Sequence, residues 1–456
     1  MSVGCFWIKE GAQMRMWKCC IVAVLVFAAC LLVAVACTCS AQQPRVLWKK
    51  NLRDECGVKN VPGVVYWLNP VIADVSGDSV PELVIALSCS GNNWLMAVDA
   101  GDGSILSRFA LSAKVFASFA VLGDTTGGIG KVAAGPLDGY VYVYDIHSGR
   151  LLTKMNNESR ILALAVADVN DDGLTDYVVQ SDNGVSAYDG KTGGRLWRLA
   201  SDKIKSNVNI VIDDVDMDGR KEVVVADNDK LVVAEAKTGA AKWSYDSETR
   251  GIMGLHGRNA VAAVGMAKEA DRRVLVAGTT FGDVMVLDGS TGKVLKHKKE
   301  LAGYITSLST GDLNGDGIFD VVVASIDHKL YALSGKDLKQ LWNFKTGDEM
   351  YSSPALGDMD NDGLLDVVIA GNDDRIYCID GEKGDLIWKY DVGTDCESGY
   401  AVLGDVNSDG FVEVGMNGIR NGEFVLLATA AKCTQNEILW AKARGNNRNT
   451  CAYGER

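Results

Sequence analysis

Five short stretches of the chain carry side-chain oxygens at relative positions 1, 3, 5 and 9 with a glycine at position 6. They are Asp168/Asn170/Asp172/Asp176, Asp214/Asp216/Asp218/Glu222, Asp312/Asn314/Asp316/Asp320, Asp358/Asp360/Asp362/Asp366 and Asp405/Asn407/Asp409/Glu413. Carboxylates spaced this closely repel one another unless a cation sits between them. Each stretch offers four side-chain oxygens, and the carbonyl of position 7 can add a fifth. Hard oxygen donors in a flexible loop suit calcium better than magnesium or zinc. Several calcium ions are therefore the expected cofactor, with no organic one. An EF-hand is excluded, because the position that should be its bidentate Glu is Val179, Val225, Val323, Ile369 or Met416. The competing explanation, acids that merely solvate a turn, leaves their placement at 1, 3, 5 and 9 unaccounted for. A related stretch, Asp74/Ser76/Asp78/Glu82, keeps its oxygens but has Ser79 where glycine is needed, which leaves binding there open. Copies at Asp124 (with Thr126, Gly128 and Val132) and around Met266 (with Arg272) lack the ligands.

Residues 351–393 show what positions such a loop. Four apolar runs, Pro354 to Leu356, Val367 to Ala370, Ile376 to Ile379 and Leu386 to Tyr390, are each of strand length and bounded by Gly, Asn or Asp turn signals. This is a four-stranded meander with the acidic loop between its first two strands. Aligned on the first loop residue, copies fall at Asp74, Asp124, Asp168, Asp214, Met266, Asp312, Asp358 and Asp405, at intervals of 44 to 52 residues. A four-stranded unit of that period is a propeller blade. The expected fold is all-β, an eight-bladed β-propeller of four-stranded antiparallel blades over residues 45–456, with seven blades as the alternative. Period-2 strands and the absence of a long 3.6-periodic segment exclude a helical solenoid.

The second half of each unit has its own signature, a hairpin that leads to a large residue. It reads YDGKTGGRLW to Trp197, AEAKTGAAKW to Trp243, LSGKDLKQLW to Trp342 and IDGEKGDLIW to Trp388. Tryptophans recurring at one place in successive blades are expected to wedge between neighbours rather than to hold a ligand. The GDxNxDGxxDVVVA segments resemble FG-GAP repeats of the integrin alpha-chain propeller and its bacterial relatives. The YALDxxTGxxxW segments are similar to the quinoprotein-like propeller repeat, also found in an outer-membrane assembly lipoprotein. The resemblance covers roughly residues 45 to 450 and implies a ring of blades with calcium in the loops between first and second strands. It does not fix a ligand, because propellers host many functions.

Lys9, Arg15 and Lys18 precede an uninterrupted apolar run from Cys19 to Cys37, followed by small residues that offer cleavage sites. Residues 1–41 read as an export signal or, since the run is just long enough to span a bilayer, as an uncleaved anchor; acylation of Cys37 is a third possibility. Six cysteines follow, Cys56, Cys89, Cys378, Cys396, Cys433 and Cys451. An even number in an exported chain suggests disulfides, and the local pairs Cys56 with Cys89, Cys378 with Cys396 and Cys433 with Cys451 are the simplest. The four histidines stand apart from one another, which argues against zinc. Without residues 1–41, which hold Lys9, Arg15 and Lys18 against Glu10, the formal charge moves from −13 to −15. That charge argues against nucleic acid as a partner.

A quinone-dependent enzyme would need a vicinal cysteine pair, and the adjacent Cys19 and Cys20 lie in the export segment. There is no GxSxG, HExxH or Walker loop. A non-enzymatic, exported binding or adhesion module is the first reading, and an envelope assembly scaffold the second. Two further expectations concern the ring. Leu47-Trp48-Lys49-Lys50 and Ile438-Leu439-Trp440-Ala441 both resemble outer strands, one too many for eight blades, so the N-terminal strand is expected to close the last blade. An aromatic or Arg also recurs before first strands: Tyr66, Trp67, Phe116, Arg160, Tyr304, Tyr351 and Tyr400. These either pack the inner strands or form a funnel for a protein, peptide or glycan partner on the face opposite the calcium loops.

Overall fold

The computed structural model describes residues 43–52, 66–67, 70–76, 80–89, 92–112, 115–122, 130–200, 210–227, 230–246, 261–269, 271–301, 303–393, 401–417, 423–433 and 438–440. The apolar run from Cys19 to Cys37 lies outside them, as do Cys56, Cys396, Cys451 and Tyr400. Every regular element described is a strand, and the strands form eight antiparallel sheets in succession. The first strands of the eight blades are Val71–Ala73, Val115–Leu122, Ile161–Ala167, Val211–Asp213, Val261–Glu269, Ile305–Gly311, Ala355–Gly357 and Ala401–Gly404. Each touches its counterpart in the blades before and after, and the eighth returns to the first. The ring is closed with eight blades, not seven.

Within a blade the sequence of each strand follows from its depth. Second strands such as Asp176–Ser181, Asp320–Ser325 and Asp366–Gly371 are buried at every position, because sister strands flank them and neighbouring blades cover both faces. They therefore read as unbroken β-branched runs (YVV, VVVA, VVIA) rather than as alternating ones. Outer strands such as Ile105–Ala110 and Leu386–Asp391 expose residues along one face and alternate accordingly. Near the axis, hydroxyls join one inner strand to its neighbours. Ser307 Oγ donates to Ser352 O at 2.8 Å and Ser309 Oγ to Pro354 O at 2.6 Å, while Thr310 Oγ1 donates back to Met266 O at 2.9 Å.

Blades are locked together by one recurring hydrogen bond. Trp197 Nε1 donates to Ala236 O at 2.7 Å, Trp243 to Gly289 O at 2.9 Å and Trp342 to Gly381 O at 2.7 Å, each acceptor lying in the hairpin of the following blade. The indole lies over that hairpin, so that a Cβ on Gly384 would come 2.6 Å from Trp342. In the first and fifth blades, where tryptophan is missing, the donor is retained: Ser107 Oγ reaches Ile146 O, and Lys296 Nζ reaches Gly335 O. The tryptophans are inter-blade wedges.

Ring closure uses the same device. Arg45–Asn51 pairs antiparallel with Glu423–Lys432 as the outermost strand of the eighth blade. Trp48 Nε1 donates to Ala100 O at 2.8 Å, so the eighth blade grips the first just as the sixth grips the seventh. The Ile438–Trp440 segment does not form an outer strand. That edge is occupied by Arg45–Asn51, and the triplet pairs instead with Leu356 and Gly357 on the inward edge of the seventh blade. Cys378 is a free thiol with no exposed surface, so its expected pairing with Cys396 is not made.

Candidate metal centres and the opposite face

The five acidic loops share one backbone conformation. Position 6 has a positive φ in each (Gly173, Gly219, Gly317, Gly363 and Gly410), and so does position 4 (Asp171, Met217, Gly315, Asn361 and Ser408). Only the first of these was legible in the sequence, because glycine marks it. The other passes unnoticed beneath four different side chains that bear the left-handed strain.

The acids hold that conformation by accepting amide hydrogens. The position-1 carboxylate caps the turn with both oxygens: Asp358 accepts from Asp362 N at 3.1 Å and Gly363 N at 3.0 Å, and Asp405 accepts from Asp409 N at 3.1 Å and Gly410 N at 3.0 Å. Positions 3 and 5 each accept from the amide two residues on, as Asp360 and Asp362 do at 3.1 and 2.8 Å. The position-9 acid is buried beneath the loop and reaches back to the amide of position 2: Asp366 to Met359 N at 2.8 Å, Glu413 to Val406 N at 3.0 Å. Its other oxygen, when it is an Asp, meets a hairpin glycine: Gly190 N at 2.8 Å for Asp176, Gly335 N at 3.2 Å for Asp320, Gly381 N at 3.2 Å for Asp366. The short Asp requires the hairpin to come so close that a Cβ on Gly381 would sit 1.8 Å from Leu365 O. The longer Glu222 removes the need, and Ala236 stands there instead.

Burial among other acids disfavours the charged form of the position-9 carboxyl. Burial, with the nearby charge of Asp360, pushes the Asp366 carboxyl up to about 8. Burial likewise carries Glu413 up to about 7 and Asp320 up to about 6, and it raises Asp176. Three acids bring ligand oxygens within 4.8 Å of one another in the trios Asp358/Asp360/Asp366 and Asp405/Asp409/Glu413. A hard divalent cation fits these donor sets, and it would be held in the seventh blade by Asp358, Asp360, Asp362 and Asp366.

Not every expected ligand joins such a group. In the third and sixth blades the amides Asn170 and Asn314 stand at position 3, and among the described residues neither loop gathers three acids. Their position-5 acids, Asp172 and Asp316, are exposed and accept from the amides of Leu174 and Ile318, both at 2.8 Å. Asp362 lies outside the seventh blade's trio in the same way. In the eighth blade Asn407 bonds within its own loop. Its Oδ1 accepts from Asp409 N at 2.9 Å, and its Nδ2 donates to Asp409 Oδ2 at 3.1 Å and lies 3.4 Å from Glu413 Oε1. The bond to the amide two residues on does not by itself decide convergence, because Asp409 accepts from Phe411 N at 2.9 Å and Asp218 from Arg220 N at 2.8 Å within their trios. A carboxamide among acids presents its NH₂ to them. A cation held by Asp172, Asp316 or Asn407 would have these side chains turn.

The fourth blade differs. Asp214, Asp216 and Asp218 also converge within 4.8 Å, but a lysine from the outer strand reaches into the loop. Lys242 Nζ contacts Asp216, lies 3.3 Å from Asp218 Oδ2 and 3.0 Å from Glu222 Oε1. Burial works against its charge, but the hydrogen bonds to Asp216, Glu222 and Asp218 outweigh burial and raise the ammonium pKa. These residues fit a divalent cation poorly, because a cation is already among them. In the first blade Glu82 accepts from Val75 N at 2.7 Å, while Asp78 and Ser79 lie outside the described residues. The fifth blade has no such loop, its first two strands continuing their pairing to Glu269 opposite Arg272.

The family model for outer membrane protein assembly factor BamB matches residues 91–251 and 137–318, together half of the chain. The chain belongs to this BamB-like family of repeat propellers. An FG-GAP-like repeat model matches residues 312–369, which contain the loops of Asp312 and Asp358. No curated protein gives a significant match. Among solved structures the chain is similar to BamB from Moraxella catarrhalis (13% identity, TM-score 0.58, covering 84% of this chain and 99% of that one). It also resembles Sqt1 of Saccharomyces cerevisiae (13%, 0.63, 86% and 100%) and the computationally designed protein Ika8 (19%, 0.58, 81% and 98%). At these identities the likeness is one of fold.

On the other face of this BamB-like ring lie the turns between second and third strands and the connections between blades. Tyr304 and Tyr351 are 44% and 42% exposed there, and Tyr351 Oη donates to Glu349 at 2.8 Å. Arg160 forms a bidentate pair with Asp182 at 3.1 and 3.0 Å. Tyr66, Trp67 and Phe116 lie on strands, but their side chains are outside the described residues. A second repeat on this face escaped the sequence reading. The hydroxyls of Tyr142, Tyr331 and Tyr377 each donate to an Asp four residues earlier, Asp138, Asp327 and Asp373. The signal was an Asp-x-x-x-Tyr spacing, hidden by its absence from other blades.

Proposed function

We propose that the protein is an exported, non-enzymatic binding propeller that captures a protein, peptide or glycan partner on the face opposite its acidic loops, and that calcium in those loops stiffens the ring. The observation that carries the binding reading is the exposure of Tyr304 and Tyr351 on the face opposite the acidic loops, beside Tyr331 and Tyr377, which are buried in packing. Exposed tyrosines beside acids are the amphipathic anchors that interfaces favour. The test is the double substitution Tyr304→Ser with Tyr351→Ser. Near-normal melting with loss of partner capture is expected, whereas a large fall in melting temperature would mean that the two rings only pack.

The calcium reading is supported by hard-oxygen donors and buried acids. Asp362→Ala should lower the number of calcium ions bound per chain by one; an unchanged number would refute the ligand assignment. A second functional reading, an envelope assembly scaffold, is favoured by the half-chain match to the outer membrane protein assembly factor family. Co-purification with outer-membrane barrel proteins would select it, and loss of partner binding on chelation would select the adhesion reading. Either role needs export, for which Cys19 to Cys37 is the proposed signal or anchor.

A further inference from the structure

We infer that Lys242 is the built-in counter-ion of the fourth blade's loop, so that this loop takes no calcium although it carries a complete set of ligand acids. The contrast with the other blades rests on their calcium reading; the geometry of the loop does not. An ammonium has three donors and no acceptor, and this one faces Asp216, Asp218 and Glu222. It stands where the oxygens at positions 3, 5 and 9 converge. Calcium bonded to the same oxygens at about 2.3–2.6 Å would lie within a few ångströms of a second positive charge. One of the two must leave.

The position of Lys242 makes it a substitution on a common plan. Counting from the hairpin residue of positive φ, the third residue on is Leu106, Leu152, Leu196, Leu295, Leu341 and Ile387 in other blades. Only the fourth blade has a cation there among those described. The neighbouring Asp213 is neutralised in the same way, by Arg273 of the fifth blade. The fifth blade next to it has no loop. On the calcium reading, metal dependence falls in the third, sixth, seventh and eighth blades, with the first left open, and the fourth and fifth form a sector held by the protein's own cations.

The experiment is a count of calcium ions bound by the full chain in equilibrium dialysis for wild type, Lys242→Leu and Lys242→Met, both of which keep an apolar stem. Each variant is expected to bind one ion more than wild type and, in chelator, to melt lower than wild type until calcium is restored. An unchanged count in both variants overturns the inference. If wild type binds no calcium, the reading of the other loops fails by itself, while a gain of one ion in Lys242→Leu still upholds the inference and no gain sinks it. A measurement on wild type alone guards against misfolding of the variants. The Lys242 ammonium resonance should stay unmoved through a calcium titration, and its displacement would show that the ion wins the site.

Discussion

The fourth and seventh blades present nearly the same loop and opposite electrostatics. Both have oxygens at positions 1, 3, 5 and 9, a left-handed residue at positions 4 and 6, and a position-1 carboxylate capping the turn, with Asp214 accepting from Asp218 N at 3.0 Å and Gly219 N at 2.9 Å. In the seventh blade the residue at the equivalent place in the outer strand is Ile387 and the acids are left to one another. In the fourth it is Lys242, and they are satisfied. The backbone of an acidic loop and its need for a cation are therefore separable: amide hydrogen bonds decide the first, and one side chain from another strand decides the second.

The largest effect that would break this comparison is chelation. A site of ~10⁻⁴ M affinity contributes about 1.4 kcal/mol at ~1 mM calcium, so four occupied loops would together lose about 5–6 kcal/mol. A melting temperature unchanged in excess EDTA would mean that the seventh blade is as independent of calcium as the fourth. Next come the wedges, which should be indifferent to the loop's charge. Trp342→Ala and Trp197→Ala remove buried indoles that grip the seventh and fourth blades, and each is expected to cost about 3–5 kcal/mol in denaturant unfolding. A large loss at one and little at the other would show that the loops, not the wedges, set inter-blade stability.

The hairpin under the loop offers a smaller contrast. Gly381→Ala forces a Cβ against Leu365 O and should cost about 1–3 kcal/mol, whereas Ala236→Gly in the fourth blade should cost under about 1 kcal/mol. Equal costs would mean that the Asp or Glu at position 9 does not set the approach of the hairpin. The effect of pH is of comparable size. The Asp366 carboxyl, pushed up to about 8 from 3.8, binds more protons folded than unfolded between those values. Its contribution is present below about pH 4 and is lost as pH rises towards about 8, by on the order of 1 kcal/mol per pH unit in that window. In chelator, wild type should therefore lose more stability than Asp366→Asn on going from pH 5 to pH 7. Parallel profiles would remove the charge of Asp366 from the account.

Most of the fold was legible because it is repeated. Runs such as Val321 to Ala324 and Val367 to Ala370 can only be central strands, the glycines at position 6 mark the loops, and the recurring tryptophans mark the wedges. Where a function is kept by a different residue the sequence was silent. Nothing in Ser107 or Lys296 announces that it donates to the same carbonyl as a tryptophan, and Leu338 takes a positive φ without glycine. Spacing also placed Asp172, Asp316 and Asn407 in their loops without saying which way each side chain turns, because that depends on the charges and amides around it. The segment Ile438–Trp440 looked like an outer strand because its composition is that of one, but strand composition does not choose between two free edges.

What the sequence determined by itself is the local plan: which residues form strands, where the loops lie and which oxygens they carry. These depend on side-chain periodicity, glycine and spacing, all properties of neighbours along the chain. What only the tertiary structure decided is which edge closes the ring and which acidic loop already has its cation. Both depend on groups far apart in sequence, Trp48 with Ala100 and Lys242 with Asp216, and electrostatic attraction acts through space, where folding has placed the charges.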